Sequence, residues 1–206
     1  SCCGLFGLKP TRARNPLGPE FGDMMGGFVA EHAVTRTVRD SARILDATAG
    51  PDVGDPYVAP PPPRPYVDEV ARDPGHLRIG FTTTSPLEGG ISPDCVAAVE
   101  DVARLCASLG HEVEEHAPKI DAGKLQGCFI NVFGAGTAMQ IDALAAELDR
   151  PPGPGEIEPL SAALAEAGRQ VRASDYLISV MELQRVSRDI ARDFLDYDVW
   201  LTPTLC

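Results

Sequence analysis

Cys128 and Asn131 interrupt an apolar stretch, residues 127–138, with a thiol and a carboxamide. They are three positions apart, so on a helix both side chains lie on the same face. A thiol and an amide placed together in this way can contact a polar ligand, and a buried amide needs a hydrogen-bond partner. Both are therefore candidate binding residues. The alternative is a core thiol beside an amide with a structural role.

Four histidines could serve as general bases for a serine nucleophile, at positions 32, 76, 111 and 116. The sequence has no G-x-S-x-G motif, which presents the nucleophile in one large class of serine hydrolases. His32 follows Gly26 and Gly27, where the backbone has the freedom for a close approach. We predict His32 as a third substrate-binding residue, with a structural histidine as the alternative.

The sequence predicts no metal site. Glu112, Glu114 and His116 alternate along a predicted strand and share one face, but their spacing is not a known ligand pattern. A solvent-exposed face of a strand is the simpler interpretation. The six cysteines show no C-x-x-C spacing, which favours free thiols in a reducing compartment; they are at positions 2, 3, 95, 106, 128 and 206.

A strand and a helix are predicted to position the first part of the chain. Residues 1–7 are uncharged and suit a strand buried on both faces. Thr35 or Thr37 can cap a following helix, which we expect to lie on a sheet. The apolar face of that helix consists of Val38, Ala42, Leu45 and Ala49. Residues 51–75 are rich in proline and predict a connecting loop.

The remaining elements predict an α/β fold. A strand at residues 77–81, a helix beginning at Ser92-Pro93 and a strand at 112–116 form a β-α-β unit with parallel strands. The apolar face of its helix consists of Cys95, Val99, Val102, Cys106 and Leu109. Helices are predicted at 121–149, at 158–170 and from a cap at Ser174 onward, before a buried strand at 198–204.

Net charge and the length of apolar runs indicate which classes of partner the chain can have. The chain has 206 residues, and its net charge of −12 argues against nucleic acid or an anionic membrane, since both attract clustered Lys and Arg. No apolar run approaches the length of about 18 residues that spans a bilayer. We expect no nucleic-acid partner, no membrane and a cytoplasmic protein.

Three stretches resemble one known family. CCGLFGLKPTRAR (residues 2–14) is similar to the segment that follows the serine nucleophile in the amidase signature family. EHAVTRTVRDSARILDATAGPDVGDP (31–56) and YDVWLTPT (197–204) are similar to two later family segments, in the same order. His32-Ala33-Val34 replaces the usual Gly-Pro-Met, which makes the chain look nearest to the branch of 6-aminohexanoate cyclic-dimer hydrolases.

The resemblance implies the fold and the chemistry. Because a helix at residues 121–149 borders the substrate cleft in the family's fold, the resemblance also implies Cys128 and Asn131 as substrate-binding residues. It implies the central and C-terminal part of the amidase signature fold, a mixed, mostly parallel sheet flanked by helices, with residues 1–206 as an incomplete single domain truncated at both ends. The family hydrolyses amides with a serine, a bridging serine held by a cis peptide and a lysine, without metal or organic cofactor. By the family's spacing the nucleophile lies six residues before Ser1, so no catalytic residue is assigned in this sequence. Lys9 belongs to the G-L-K-P-T element and is not the family's catalytic lysine.

The predicted function is therefore hydrolysis of a small carboxamide through an acyl-serine intermediate in the intact protein, which could be a homodimer. The isolated chain is predicted to be inactive. One alternative is an amidotransferase A-type subunit for glutaminyl- or asparaginyl-tRNA formation, against which the acidic charge weighs. The other is a non-catalytic pseudo-enzyme or interaction fragment.

Overall fold

The computed structural model describes residues 3–86, 89–153 and 155–204. Its contacts divide the chain into two compact units, Ser1–Pro74 and Gly75–Cys206. Whether these form one incomplete amidase domain, as the resemblance implies, stays a prediction.

The unit Ser1–Pro74 is built around helix α1 (Val38–Thr48). Its N-cap is Thr37, one of the two predicted candidates, whose hydroxyl accepts a hydrogen bond from the backbone N–H of Asp40 at 3.0 Å. Ala42 and Leu45 are buried, but Val38 is half exposed and Ser41 is buried in its place. Within this unit α1 contacts the short helix α2 (Tyr66–Glu69), and the described residues of the unit contain no sheet.

The opening stretch is not a buried strand, so that prediction was wrong for the described residues. Phe6 forms a single antiparallel bridge with Thr35, and Leu5 and Leu8 are exposed. Gly4 has a φ of 63°, which is incompatible with a regular strand. Ser1 and Cys2 lie outside the described residues. The Pro-rich segment 51–75 is a loop as predicted, except that α2 lies within it.

A parallel three-stranded sheet lies in the unit Gly75–Cys206, which confirms the predicted α/β class. Its strands are β1 (Arg78–Phe81), β2 (Glu112–Glu115) and β3 (Val199–Leu201), in the order β2-β1-β3. The register pairs Ile79 with Val113 on one side and with Val199 on the other. Because β1 is central and parallel to both neighbours, the predicted β-α-β unit is confirmed.

Helix α3 (Pro93–Ser108) joins β1 to β2 and contacts β2. Pro93 opens it as predicted, although the Ser92 side chain makes no capping hydrogen bond. The buried positions are Val99 and Ala103, whereas Val102 and Leu109 are exposed. The predicted apolar face was therefore rotated, because a small alanine carries the packing that we assigned to the larger Val102.

Three helices form the other layer of this unit: α4 (Ala122–Glu147), α5 (Pro159–Arg169) and α6 (Ala173–Asp193). Helix α4 contacts both α5 and α6. The N-cap of α6 is Arg172, in an extended conformation, so the predicted cap at Ser174 was wrong. The last strand is shorter and more exposed than predicted, since Val199 is 41% exposed.

Helix α4 is long and apolar enough to cross a bilayer by length and composition alone, contrary to the expectation from the sequence. It buries Val132, Gly134, Gly136 and Ala138 and contacts two other helices. A core helix of a folded domain has the same properties.

Candidate functional site

Asn131 lies on the buried side of α4 and is tied to α6. Its Nδ2 donates to the Ser179 hydroxyl at 3.0 Å, and Ser179 donates in turn to the carbonyl oxygen of Asp175 at 2.8 Å. Ser179 is 3% exposed, so the chain of hydrogen bonds lies within the protein. Ser179 thus supplies the hydrogen-bond partner that a buried amide requires. The second N–H and the carbonyl oxygen of the Asn131 side chain are the groups left to bind a ligand.

Cys128 lies one turn before Asn131 on the same helix, as predicted, and its free thiol is half-buried. An ion pair fixes the adjoining turn, because Lys124 of α4 contacts Glu182 of α6 at 2.7 Å. The Lys124 ammonium, followed by the Arg185 guanidinium, lowers the pKa of Glu182. The charged side chains of this turn are therefore paired with one another. Cys128 and Asn131 are uncharged polar side chains on the same face of α4.

His32 belongs to the unit Ser1–Pro74 and is anchored on α1. Its Nε2 is hydrogen-bonded to the Ser41 hydroxyl at 2.8 Å. Ser41 is 1% exposed, so it cannot meet a substrate, and the pair is not a serine nucleophile with its base. His32 Nδ1 is buried without a hydrogen-bond partner among the described residues.

An open pocket of about 540 Å³ lies beside His32 in this unit. Asn15 and Thr48 supply polar groups to its wall, and the two side chains are hydrogen-bonded at 3.3 Å. Asn15 also donates to the carbonyl oxygen of Glu31 at 2.8 Å, which fixes the segment that carries His32. The pocket is large enough for a small ligand.

Gly26 and Gly27 have φ values of 66° and 83°, so the predicted backbone freedom is present. The group that makes the close approach is the Arg12 guanidinium: a Cβ atom on Gly27 would lie 2.8 Å from Arg12 Cζ. The glycine pair therefore makes room for an arginine of the same unit.

A cluster of aromatic and ionisable side chains, which the sequence did not predict, lies beside the sheet. His116 stacks on Tyr197 with ring centroids 4.5 Å apart, and both lie over Gly80 of β1. The Tyr197 hydroxyl donates to Glu114, and this bond raises the pKa of Tyr197 to about 12. His116 Nε2 is 3.7 Å from an Asp193 carboxylate oxygen. Alternation along the predicted strand drew attention to Glu114 and His116, but nothing in the sequence connected either of them with Tyr197, which lies 83 positions after Glu114.

The structure thus brings Cys128 and Asn131 together on α4 and places His32 in the other unit. Their role in substrate binding stays a prediction. Within residues 3–86, 89–153 and 155–204, no three His, Cys, Asp or Glu side chains are grouped as metal ligands. Lys9 donates to the neighbouring Pro10 carbonyl oxygen at 2.7 Å.

Comparison with known proteins gives a match over the whole chain. A family model described as Amidase matches residues 1–206. The 6-aminohexanoate-cyclic-dimer hydrolase of Pseudomonas sp. (strain NK87) is 31% identical over 211 residues, which span 100% of this chain and 43% of that protein. The hydrolase of the same name from Paenarthrobacter ureafaciens is also 31% identical, over 43% of its length.

Comparison with solved structures gives the same family of enzymes. The structure of a 6-aminohexanoate cyclic dimer hydrolase complexed with substrate superimposes with a TM-score of 0.84 and 30% identity, covering 95% of this chain and 41% of that one. A bacterial aryl acylamidase of the amidase signature enzymes shares the fold, with a TM-score of 0.83 and 20% identity over 98% of this chain and 42% of its own. This chain therefore spans less than half the length of these relatives.

Proposed function

The chain belongs to the amidase signature family, and on that premise we propose that the protein containing it hydrolyses a carboxamide to a carboxylate and an amine. The observation that supports this most strongly is the match over residues 1–206, together with the fold shared with a substrate-complexed hydrolase. Two of the relatives are named as hydrolases of 6-aminohexanoate cyclic dimer. A small aliphatic amide, linear or cyclic, is the substrate class that we propose.

The proposed reaction proceeds through a serine outside residues 1–206. Its hydroxyl oxygen attacks the amide carbonyl while a base, the family's lysine acting through a bridging serine, takes the proton. The C–N bond breaks when that proton is returned to the leaving amine, and water then hydrolyses the acyl-serine ester. A lysine serves as the base only where burial keeps it neutral. The proposed reaction requires no metal or organic cofactor.

The role proposed for this chain is to bind the substrate. Asn131 offers an amide N–H and a carbonyl oxygen to the substrate amide, and Cys128 contributes a small half-buried wall one turn away. In the unit Ser1–Pro74, His32 is proposed to contact a ligand in its own open pocket. Asn131 is held in place by Ser179, so little side-chain entropy is lost when it binds.

The partners and the cellular location that we propose follow from the net charge and the cysteines. A net charge of −12 fits a protein without nucleic-acid or membrane partners. Cys3, Cys95, Cys106 and Cys128 are free thiols, which suits the reducing cytoplasm. We propose a cytoplasmic enzyme that could act as a homodimer. An amidotransferase A-type subunit or a non-catalytic fragment are the competing functions, and the cyclic-dimer hydrolase similarity favours neither.

The test is an assay of two proteins, the 206-residue chain and the complete product of its gene. Both are incubated with 6-aminohexanoate cyclic dimer, a linear aliphatic amide and an aryl amide, and amine release is measured. The complete product is expected to turn over at least one of them and the isolated chain none. Turnover by the isolated chain that Cys128→Ala abolishes would contradict the proposal, as would a complete product that transfers ammonia to charged tRNA.

A further inference from the structure

A pocket of about 390 Å³ lies between the C-terminal end of α1 and the proline-rich segment 51–75. All of its lining residues belong to the unit Ser1–Pro74, and it shares none of them with the pocket beside His32. Alanine, valine and proline side chains form most of its wall, and Arg14, Asp46 and Tyr66 supply polar groups. A mostly apolar pocket of this size with a few polar groups is typical of sites for small organic molecules.

Arg14 is half-buried in this pocket without a carboxylate partner. Its Nη1 donates to the carbonyl oxygen of Pro60 at 2.6 Å, and its Cζ lies 5.8 Å from the centroid of the Tyr66 ring. No carboxylate of the described residues forms an ion pair with it, whereas Arg64 of the same unit contacts Glu69 at 2.7 Å. A guanidinium has five N–H donors in a planar arrangement that matches a carboxylate. Arg14 can therefore bind the carboxylate of a ligand.

The backbone beside Arg14 has an uncommon conformation. Ala13 lines the pocket with a φ of 60°, in the left-handed region that residues other than glycine rarely adopt. The N–H of Gly50 donates to the carbonyl oxygen of Arg14 at 3.0 Å, which ties this segment to the end of α1. Residues in such conformations cluster at ligand-binding and catalytic sites. Ala13 is therefore a second observation in favour of a ligand site, independent of the unpaired guanidinium.

Asp46 supplies the opposite charge. Its Oδ1 accepts a hydrogen bond from the backbone N–H of Tyr66 at 2.6 Å, and its Oδ2 accepts one from the N–H of Val67 at 3.0 Å, which fixes the carboxylate at the start of α2. Each oxygen keeps a lone pair for a further donor. Asp46 and Arg14 form no ion pair with each other, so the pocket presents a negative and a positive group that are apart. A ligand with a single charge meets one like charge here, whereas a ligand with both charges complements both groups.

We propose that this pocket binds an ω-amino carboxylic acid, with the ligand's carboxylate on Arg14, its ammonium group on Asp46 and its carbon chain against the proline and valine side chains of the wall. A chain must separate the ligand's two charged groups, because Arg14 and Asp46 do not contact each other. Burial of the methylene groups of that chain adds to the affinity. The inference does not depend on the proposed amidase activity, since none of the residues assigned to amide binding lines this pocket.

Binding of 5-aminopentanoate tests the proposal, measured by calorimetric titration at pH 7 on the complete gene product and on the 206-residue chain. Norvaline is an isomer of this probe with its ammonium group on the carbon next to the carboxylate, and pentanoate and pentylamine each carry one of the two charges. We expect saturable binding of 5-aminopentanoate that is about tenfold or more tighter than that of each control, because each control loses a charge-assisted hydrogen bond. The absence of saturable binding, or an equal affinity for any control, would overturn the proposal.

Two substitutions assign the binding to this pocket through the ligand preference. Asp46→Asn removes the negative charge and keeps an acceptor for α2, so pentanoate is expected to bind as tightly as 5-aminopentanoate. Arg14→Gln removes the positive charge and is expected to weaken the binding of 5-aminopentanoate by about tenfold or more. The control Arg43→Gln, at an exposed arginine of α1 outside the pocket, is expected to leave the affinity unchanged. If neither Asp46→Asn nor Arg14→Gln changes the affinities, the probe binds elsewhere and the proposal is wrong.

Ala59→Leu decides the matter if Arg14→Gln unfolds the unit, since Arg14 also holds Pro60. Ala59 lines the pocket, so the larger side chain fills it and leaves both charged groups in place. Binding of 5-aminopentanoate is expected to be lost, and unchanged binding would contradict the proposal. Amide turnover is measured on the same preparations of the complete product. Turnover without binding of the probe refutes the pocket alone, and binding without turnover refutes the proposed function alone.

Discussion

Gly168 of α5 lies directly against the backbone of Gly134 of α4. A Cβ atom built on Gly168 would overlap the Gly134 carbonyl group, and one built on Gly134 would lie 3.0 Å from the Leu164 carbonyl oxygen. Both glycines are buried. The two helices thus approach at the distance of their main chains, which fixes α4 and with it the face that carries Cys128 and Asn131.

The first prediction concerns this helix contact. Gly168→Ala is expected to lower the free energy of unfolding by about 1–3 kcal/mol, because the new methyl group meets backbone that cannot move aside. Gly127→Ala on α4 is the matched control, since a Cβ atom there meets nothing within 4 Å. It is expected to stabilise the protein by up to about 1 kcal/mol through helix propensity. Urea unfolding of both variants measures the difference, and a stabilised Gly168→Ala would refute the close approach.

The second prediction concerns Asn131 and Ser179. Asn131→Ala and Ser179→Ala are expected to be non-additive in a double-mutant cycle, with a coupling energy of about 0.5–1.5 kcal/mol in unfolding. Asn131→Ala is expected to raise the KM of the complete enzyme more than Ser179→Ala does, because Ser179 only positions the amide. Additive unfolding energies would show that the 3.0 Å contact contributes nothing, and an unchanged KM would remove Asn131 from the substrate site.

The third prediction concerns Tyr197 at high pH. Glu114 raises the pKa of Tyr197 to about 12 in the folded state, whereas an unfolded tyrosine ionises near 10. The unfolded state therefore loses its proton first, so this contribution is complete below pH 10 and is lost as the pH rises through 12. Tyr197→Phe is expected to flatten the fall in stability between pH 10 and 12. The control Tyr57→Phe removes an exposed phenol and should leave the fall unchanged.

Absorbance at the phenolate band gives a direct check of the same pKa. One of the four tyrosines is expected to titrate near pH 12 in the native protein and to be missing from the titration of Tyr197→Phe. If Tyr197→Phe instead removes a group that titrates near pH 10, the bond to Glu114 is contradicted.

The fourth prediction concerns Asp198, which ties β3 to β1. Its carboxylate accepts a hydrogen bond from the Arg78 backbone N–H at 2.8 Å and contacts the Arg78 guanidinium at 3.4 Å. These interactions, the backbone bond first, lower the pKa of Asp198. The stabilisation is therefore present above the pKa of an unfolded aspartate, about 3.9, and is lost as the pH falls through the lower folded value. Asp198→Asn should be less stable than wild type at pH 7, and the difference should shrink below pH 4; a constant difference would contradict it.

Local signals in the sequence predicted much of the fold. A hydroxyl before an apolar repeat has a local geometric role, so the sequence predicted Thr35 or Thr37 as the cap of α1, and the structure has Thr37. Pro93 was predicted at the start of α3 for a similar reason. The order of elements predicted a parallel sheet.

Contacts between distant parts of the chain could not be predicted. In α3, Ala103 rather than Val102 faces the core. The sequence did not predict this, because a buried alanine contributes little to an apolar pattern. The Tyr197–Glu114 bond joins residues that no local pattern relates. For the candidate site, the sequence identified Asn131 as an amide in need of a partner but not Ser179 as that partner.

The most direct test of the central claim is to map the acyl-enzyme. The complete gene product is treated with a slowly hydrolysed aryl ester, denatured in acid and digested, and the modified residue is located by mass spectrometry. We predict that one acyl group is attached to a serine outside residues 1–206 and that the isolated chain remains unmodified under the same conditions. Stoichiometric acylation of a serine or cysteine within residues 1–206 would contradict the assignment of this chain as the substrate-binding part of a larger amidase.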